Sequence, residues 1–311
     1  MEIDMACFQS GVIAEANTDA LFITLNVAPT TDAIVNLRQV LSGIPATELS
    51  FRQRYPEADF HITAAIGSEF WDRMSPDQRP AELVPFPALN NQLLVAPHTP
   101  VDLLLHIRSE RHDLNYEAAV LVLSRLADSV MLDQEVHGFR YLDSRDLTGF
   151  VDGTENPQGA HRAEVALVGD EDLVFNGGSY IHLQRYEHDL EAWNRITVKQ
   201  QEDIIGRTKA DNKEYAGADK ALSSHTKRTS LKDTEGRSVE ILRHSMPYGN
   251  LTHKGLMFAS YGRSPQPFTQ MLESMLLGDG SGNHDHLLHY SQAVTGQAFF
   301  APSIEWLESL L

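Results

Sequence analysis

The chain predicts an α+β protein built from two units, each an antiparallel β-sheet covered by α-helices. Two observations carry this expectation. The element order β-α-β-β-α-β can be read twice along the sequence, and 311 residues suffice for two domains and an ample core. Residues 22–27 alternate well enough for a first strand. Pro29-Thr30-Thr31 then offers a helix start, with Ile34, Leu37, Val40 and Leu41 at helical spacing until Gly43 ends it. Residues 60–66 read as a second strand. A loop follows with Pro76, Pro80, Pro85, Pro87, Pro97 and Pro100. Residues 101–108 form a third strand, 115–127 a helix with Ala119, Val122, Leu123 and Leu126 on its apolar face, and 130–141 a returning strand. This order describes a ferredoxin-like split βαβ unit. His61 and His106 fall in its strands and read as packed or half-exposed strand residues rather than ligands.

After a glycine-rich loop the order recurs with insertions, though without any repeat in the sequence itself. Residues 179–186 read as strand, 190–196 as the start of a helix and 198–206 as a second short helix. Residues 207–236 are polar and poorly periodic, the mark of a long functional loop with short helical pieces. Strands at 239–243 and 256–261, a helix at 268–277 and a last short strand near Phe299-Phe300 complete the second unit. The boundary falls between an N-terminal domain, 1–145, and a C-terminal domain, 146–311.

Composition narrows the functional classes. A formal charge of −18, from 25 basic and 43 acidic residues, disfavours nucleic acid and anionic membranes as general partners. The one cysteine, Cys7, excludes an intrachain disulfide, a four-cysteine zinc site, an iron–sulfur cluster within one chain and a thioether-linked haem. The start shows neither a basic segment followed by an apolar run nor a twin-arginine pair, and no apolar run approaches membrane-spanning length. A cytoplasmic protein is expected.

The most informative stretch is Gly149-Phe150-Val151-Asp152-Gly153-Thr154-Glu155-Asn156-Pro157. An acid between two glycines suits a turn too tight for most side chains, and Asn-Pro adds a rigid turn signal. Such a loop could hold the Asp152 carboxylate over a bound group, although an ordinary surface turn has the same local pattern. Three later segments follow in order: SSHTKR at 223–228, ILRHSMPYG at 241–249 and GLMFASYG at 255–262. Together these motifs resemble those of the dye-decolourising peroxidases, a family of haem enzymes, and look closest to the compact bacterial B-type members. The resemblance extends over essentially the whole chain.

The resemblance implies two ferredoxin-like halves, with non-covalent haem b in the C-terminal one. It implies reduction of hydrogen peroxide through a ferryl intermediate, oxidation of dyes or phenolic one-electron donors, and a homo-oligomer, dimer or larger. His225 would ligate the iron, and Asp285 would accept a hydrogen bond from its other ring nitrogen, with Asp279 the weaker choice. Asp152 would be the distal base and Arg243 the cation that binds and polarises peroxide. Ser245 would share the face of Arg243 if the strand continues, and hold a water. Leu256 and Phe258 would wall the pocket, Arg207 would bind a propionate, and Asn156 would add a contact. For Arg243 the ordinary reading is a surface ion pair, for example with Glu240. Bulky dyes would be oxidised from the surface, with Tyr215 or Tyr248 as examples of residues that pass electrons inward.

Two rival readings stand beside this one. The first keeps haem but assigns haem transport or release of haem iron. The second places zinc or another transition metal in His284-Asp285-His286-Leu287-Leu288-His289. That spacing matches no zinc signature, and a zinc hydrolase would leave the glycine loop and Arg243 unexplained.

Overall fold

The computed structural model describes residues 8–311, so Cys7 lies outside the described residues. The first half runs β1 (Asp19–Val27), α1 (Thr31–Ser42), α2 (Ile44–Arg54), β2 (His61–Gly67), a short α3 (Trp71–Met74), a small ribbon of β3 (Leu89–Asn90) and β4 (Val95–Ala96), β5 (Leu103–Ser109), α4 (His112–Leu126) and β6 (Val130–Phe139). The second half runs α5 (His161–Ala166), β7 (Ser179–His188), α6 (Leu190–Arg195), α7 (Val198–Ile205), α8 (His225–Thr229), β8 (Leu242–Arg243), β9 (Met246–Gly249), β10 (Lys254–Gly262), α9 (Gln266–Leu277), β11 (Ser291–Ala293), β12 (Gln297–Ala301) and α10 (Ile304–Glu308).

Thr30 caps α1 by accepting from Ala33 N–H, as the sequence suggests. Gly43 does end that helix, but the chain turns directly into α2, which the sequence reading missed. Pro45 sits in the first turn of α2, where a missing N–H costs nothing. The strand expected at 239–243 contracts to Leu242–Arg243.

The strands are antiparallel and covered by helices, as expected, and they join into one continuous sheet. Its strands run β7-β12-β2-β5-β1-β6-β9-β10, all antiparallel, and β10 pairs back onto β7. The ring is therefore closed, which removes two exposed edges at once. Alternate residues of β1 show the consequence. Leu21, Ile23 and Leu25 pack outward into the core under α1 and α4, while Ala20 and Phe22 join an interior core with Leu104, Ile181 and Phe299. Both strand faces are thus buried. His61 and His106 are packed; His106 Nδ1 meets the Tyr261 hydroxyl at 2.9 Å and its ring stacks on Phe22.

On the outer face of β7 and β10, α9 packs through Phe268, Leu272 and Leu276 around Tyr186, with Leu256 and Phe258 against the same cluster. A cavity opens between these strands and the segments carrying α8 and residues 146–156. No helix among the described residues is long and apolar enough to cross a membrane.

Candidate active site

The loop before β7 is built around Asp146. Its carboxylate accepts from Thr148 N–H and Oγ1–H and pairs with His188 at 3.1 Å. Burial alone raises that carboxyl, but the His188 hydrogen bond and charge, with the Thr148 donors, more than reverse this and hold it below the ordinary carboxylate range. Gly149 and Gly153 have φ of 89° and 78°, the left-handed region that favours glycine. Between them Val151 bridges to Arg145, and Asp152 N–H donates to Ser144 O at 3.0 Å. Asp152 is therefore held from both sides. Its Oδ1 accepts Gly153 N–H at 2.7 Å and faces Arg243 Nη1 at 3.6 Å.

Arg243 ends β8. Strands β8 and β9 lie along one edge of β10 in a single register, from Leu242 opposite Tyr261 to Gly249 opposite Lys254. Asn156 clamps the backbone of Arg243 from across the cleft. Its Oδ1 accepts Arg243 N–H at 2.8 Å and its Nδ2 donates to Arg243 O at 2.7 Å. Glu240 pairs instead with His161.

From the helical side comes His225, the first residue of α8. Its Nδ1 lies 2.6 Å from Oδ2 of Asp285, which is fully buried and whose Oδ1 accepts Leu287 N–H at 2.9 Å. The carboxylate accepts from Nδ1–H, and in the neutral ring that arrangement leaves Nε2 its lone pair. His286 N–H donates to Ser223 O at 3.0 Å, tying the Asp285 segment to the start of α8.

Asp152, Arg243 and His225 all line one cavity of about 320 Å³, walled by Leu256, Phe258 and Met271 among other apolar side chains. A second cavity, of about 210 Å³, adjoins it through Asp152, Gly153 and Arg243. The donor set of the larger cavity fits a haem: one imidazole with a free Nε2, apolar walls and a guanidinium. It does not fit a bare metal ion, which takes three or four protein ligands. Among the described residues, the group of three potential ligands lies elsewhere, at His284, His286 and His289.

Family models of the Dyp-type peroxidase N-terminal and C-terminal regions match residues 9–140 and 143–306. The chain belongs to the Dyp-type peroxidase family. It is similar to the dye-decolorizing peroxidase of Mycolicibacterium paratuberculosis, 42% identical over 300 residues that span 96% of this chain and 84% of that protein. A variant of DypB from Rhodococcus jostii RHA1, solved in complex with heme, has a TM-score of 0.94 at 40% identity, over 96% of this chain and 97% of that one. A dye-decolorizing peroxidase from Bacteroides thetaiotaomicron has a TM-score of 0.94 at 35% identity, over 99% of each chain.

In this Dyp-type peroxidase the sequence-predicted residues separate into three groups. Asp152, Arg243, His225, Leu256 and Phe258 meet on the larger cavity, with Asp285 behind His225. Ser245 and Asn156 do not reach that wall; both line the smaller cavity. Ser245 Oγ accepts Ala259 N–H at 3.2 Å, and both polar ends of the Asn156 amide bond the backbone of Arg243. Arg207 lines the larger cavity, placed there by Gly206, which ends α7 at φ 86°. Its guanidinium is already engaged by Glu155 at 3.0 Å, Glu214 at 3.4 Å and Asn212. Asp279 is exposed and bonds Asn283. Tyr248 is buried under Arg185 and is no surface tyrosine, whereas Tyr215 is half-exposed.

Sequence reasoning missed the Asp146–His188 pair and the two glutamates around Arg207. Position 146, three residues before Gly149, was the available signal for the first; the glutamates carried none.

Proposed function

We propose that the larger cavity holds haem b and that the chain is a haem-dependent peroxidase acting on hydrogen peroxide. The observation that carries this is the meeting on one cavity of a carboxylate-backed imidazole, His225–Asp285, and an acid–guanidinium pair, Asp152–Arg243. When bound, the haem supplies an iron that exchanges electrons between a donor and peroxide. His225 Nε2 would ligate it, with Asp285 orienting the ring through its hydrogen bond to Nδ1. The Arg243 guanidinium would bind peroxide and stabilise the negative charge that grows as the O–O bond breaks. Asp152 Oδ1 is occupied by Gly153 N–H, so Oδ2 takes the proton from one peroxide oxygen and returns it to the other. Leu256 and Phe258 keep bulk water from the reacting atoms. Arg207 is the propionate partner, with exposed Glu155 giving way to the incoming carboxylate.

Dyes or phenolic one-electron donors are the reducing substrates in this reading, with bulky dyes oxidised from the surface. The protein is taken to be cytoplasmic and a homo-oligomer. The domain reading is two ferredoxin-like units, 1–145 and 146–311. It is supported by strand orders β2-β5-β1-β6 and β9-β10-β7-β12, which are the same order when the four strands of each half, leaving out short β8 and β11, are numbered along the chain. Haem transport or iron release is not favoured, because the relatives 40–42% identical to this chain are named as dye-decolorizing peroxidases, whereas those named deferrochelatase are only 25% identical.

The test is absorption spectroscopy of haem-loaded wild type, His225→Ala and Arg243→Leu, before and after hydrogen peroxide. Wild type should show a Soret band that peroxide shifts, and His225→Ala should alter or lose it. Arg243→Leu should keep the band and react about 10²–10³ times more slowly, the usual cost of one charge-stabilising donor. A Soret band independent of His225, or undiminished reactivity without Arg243, overturns the assignment.

A further inference from the structure

The run His284–His289 divides between two faces. Asp285 turns inward to His225, while the three histidines turn outward together. We propose that His284, His286 and His289 form a second, transition-metal site on the surface, separate from the haem cavity and suited to Zn²⁺ or a similar borderline divalent cation.

The geometry begins with the turn. Residues 286–289 form one turn of 3₁₀ helix, in which side chains three apart eclipse, so His286 and His289 project to the same side. His284, just before the Asp285 cap, folds over them. The ring centroids form a near-equilateral triangle, 5.4 Å for His284–His286, 5.0 Å for His284–His289 and 5.5 Å for His286–His289. One ring nitrogen from each lies within 4.8 Å of the others, and Nε2 of His284 and His289 are 2.9 Å apart. A tetrahedral ion with zinc–nitrogen bonds of 2.0–2.1 Å places its ligands about 3.4 Å apart. Small ring rotations therefore complete the site.

The chemistry agrees. No carboxylate pairs with any of the three rings among the described residues, since Asp285 is occupied by His225 and Leu287. Three imidazoles without a thiolate suit Zn²⁺, Cu²⁺, Ni²⁺ or Co²⁺ rather than Ca²⁺ or Mg²⁺. The half-exposed setting leaves a fourth position for water or an exogenous ligand. A bound ion would also pin the turn whose Asp285 supports His225.

The test is calorimetric titration of ZnCl₂ into the haem-loaded full chain and into His284→Ala, His286→Ala and His289→Ala. His112→Ala serves as control, because the His112–His137 pair, 5.0 Å between centroids, is the competing histidine cluster. Wild type and the control should bind one zinc per chain. Loss of an outer-shell partner costs 10–100-fold, so loss of a ligand should weaken binding at least about 100-fold. Unchanged Soret bands and melting curves will show that the surface variants are folded. No zinc uptake by wild type at millimolar metal, or undiminished binding by the three variants, overturns the proposal.

Discussion

Replacing Asp285 by asparagine keeps the shape of the side chain and removes only its charge and one acceptor. The carboxylate receives two donors in a fully buried place, Leu287 N–H at 2.9 Å and His225 Nδ1–H at 2.6 Å. An amide offers one acceptor and one donor group, so it cannot serve both. With its oxygen toward His225, its NH₂ faces Leu287 N–H and leaves a buried donor unpaired, at about 1–3 kcal/mol. With its oxygen toward Leu287, its NH₂ faces Nδ1, and the imidazole must move its proton to Nε2, the nitrogen needed for iron. Either way the variant loses stability, haem affinity or both. Haem binding should weaken 10–100-fold, as for other partners that orient a metal-bound histidine, which is about 1.4–2.8 kcal/mol. The assay is titration of haem into the haem-free variant, followed by the Soret band, beside a denaturant melt of the haem-free protein. Affinity within twofold of wild type together with an unmoved midpoint would refute the role given to Asp285.

Two other outcomes follow from the same geometry. Burial first, joined by the Arg108 charge for all but His182, lowers His61 to about 4, His182 to about 3, and His106 and His244 well below their ordinary range. These rings are neutral when folded and take a proton when unfolded, so their stability is complete above about pH 6.5 and is lost toward pH 4 and below. Each contributes a slope of about 1.4 kcal/mol per pH unit; a urea midpoint unchanged between pH 7 and 5 would contradict this. Asn156→Ala removes both backbone hydrogen bonds to Arg243 and should cost about 1–3 kcal/mol. It should also slow the reaction with peroxide while haem remains bound, with Asn156→Asp intermediate because it keeps the acceptor for Arg243 N–H. Wild-type peroxide kinetics in Asn156→Ala would remove the clamp from the proposed mechanism.

Much of this protein is local and therefore legible. Hydrophobic periodicity marked α1, α4 and α9, because burial of one face imposes a repeat on neighbouring residues, while apolar runs marked the long strands, which are buried on both faces. The two glycines around Asp152 marked a turn because only a residue without Cβ adopts φ near 80–90° without strain. Short elements escaped: α2 begins directly after α1 ends, where Gly43 and Pro45 look like punctuation. The contacts that complete the site lie far apart in sequence. Asn156 meets Arg243 across 87 positions, and His225 meets Asp285 across 60. Chain order carries no record of such partners.

By itself, then, the sequence determined the order of elements, the turn that presents Asp152, the motifs of the family and a set of candidate side chains. The tertiary structure alone decided that the sheet closes on itself, that Asn156 and Ser245 face the smaller cavity, that glutamates already hold Arg207, and that His284, His286 and His289 gather together. The physical reason is that periodicity records which face of an element is buried, whereas the partner on that face is chosen only when distant segments pack.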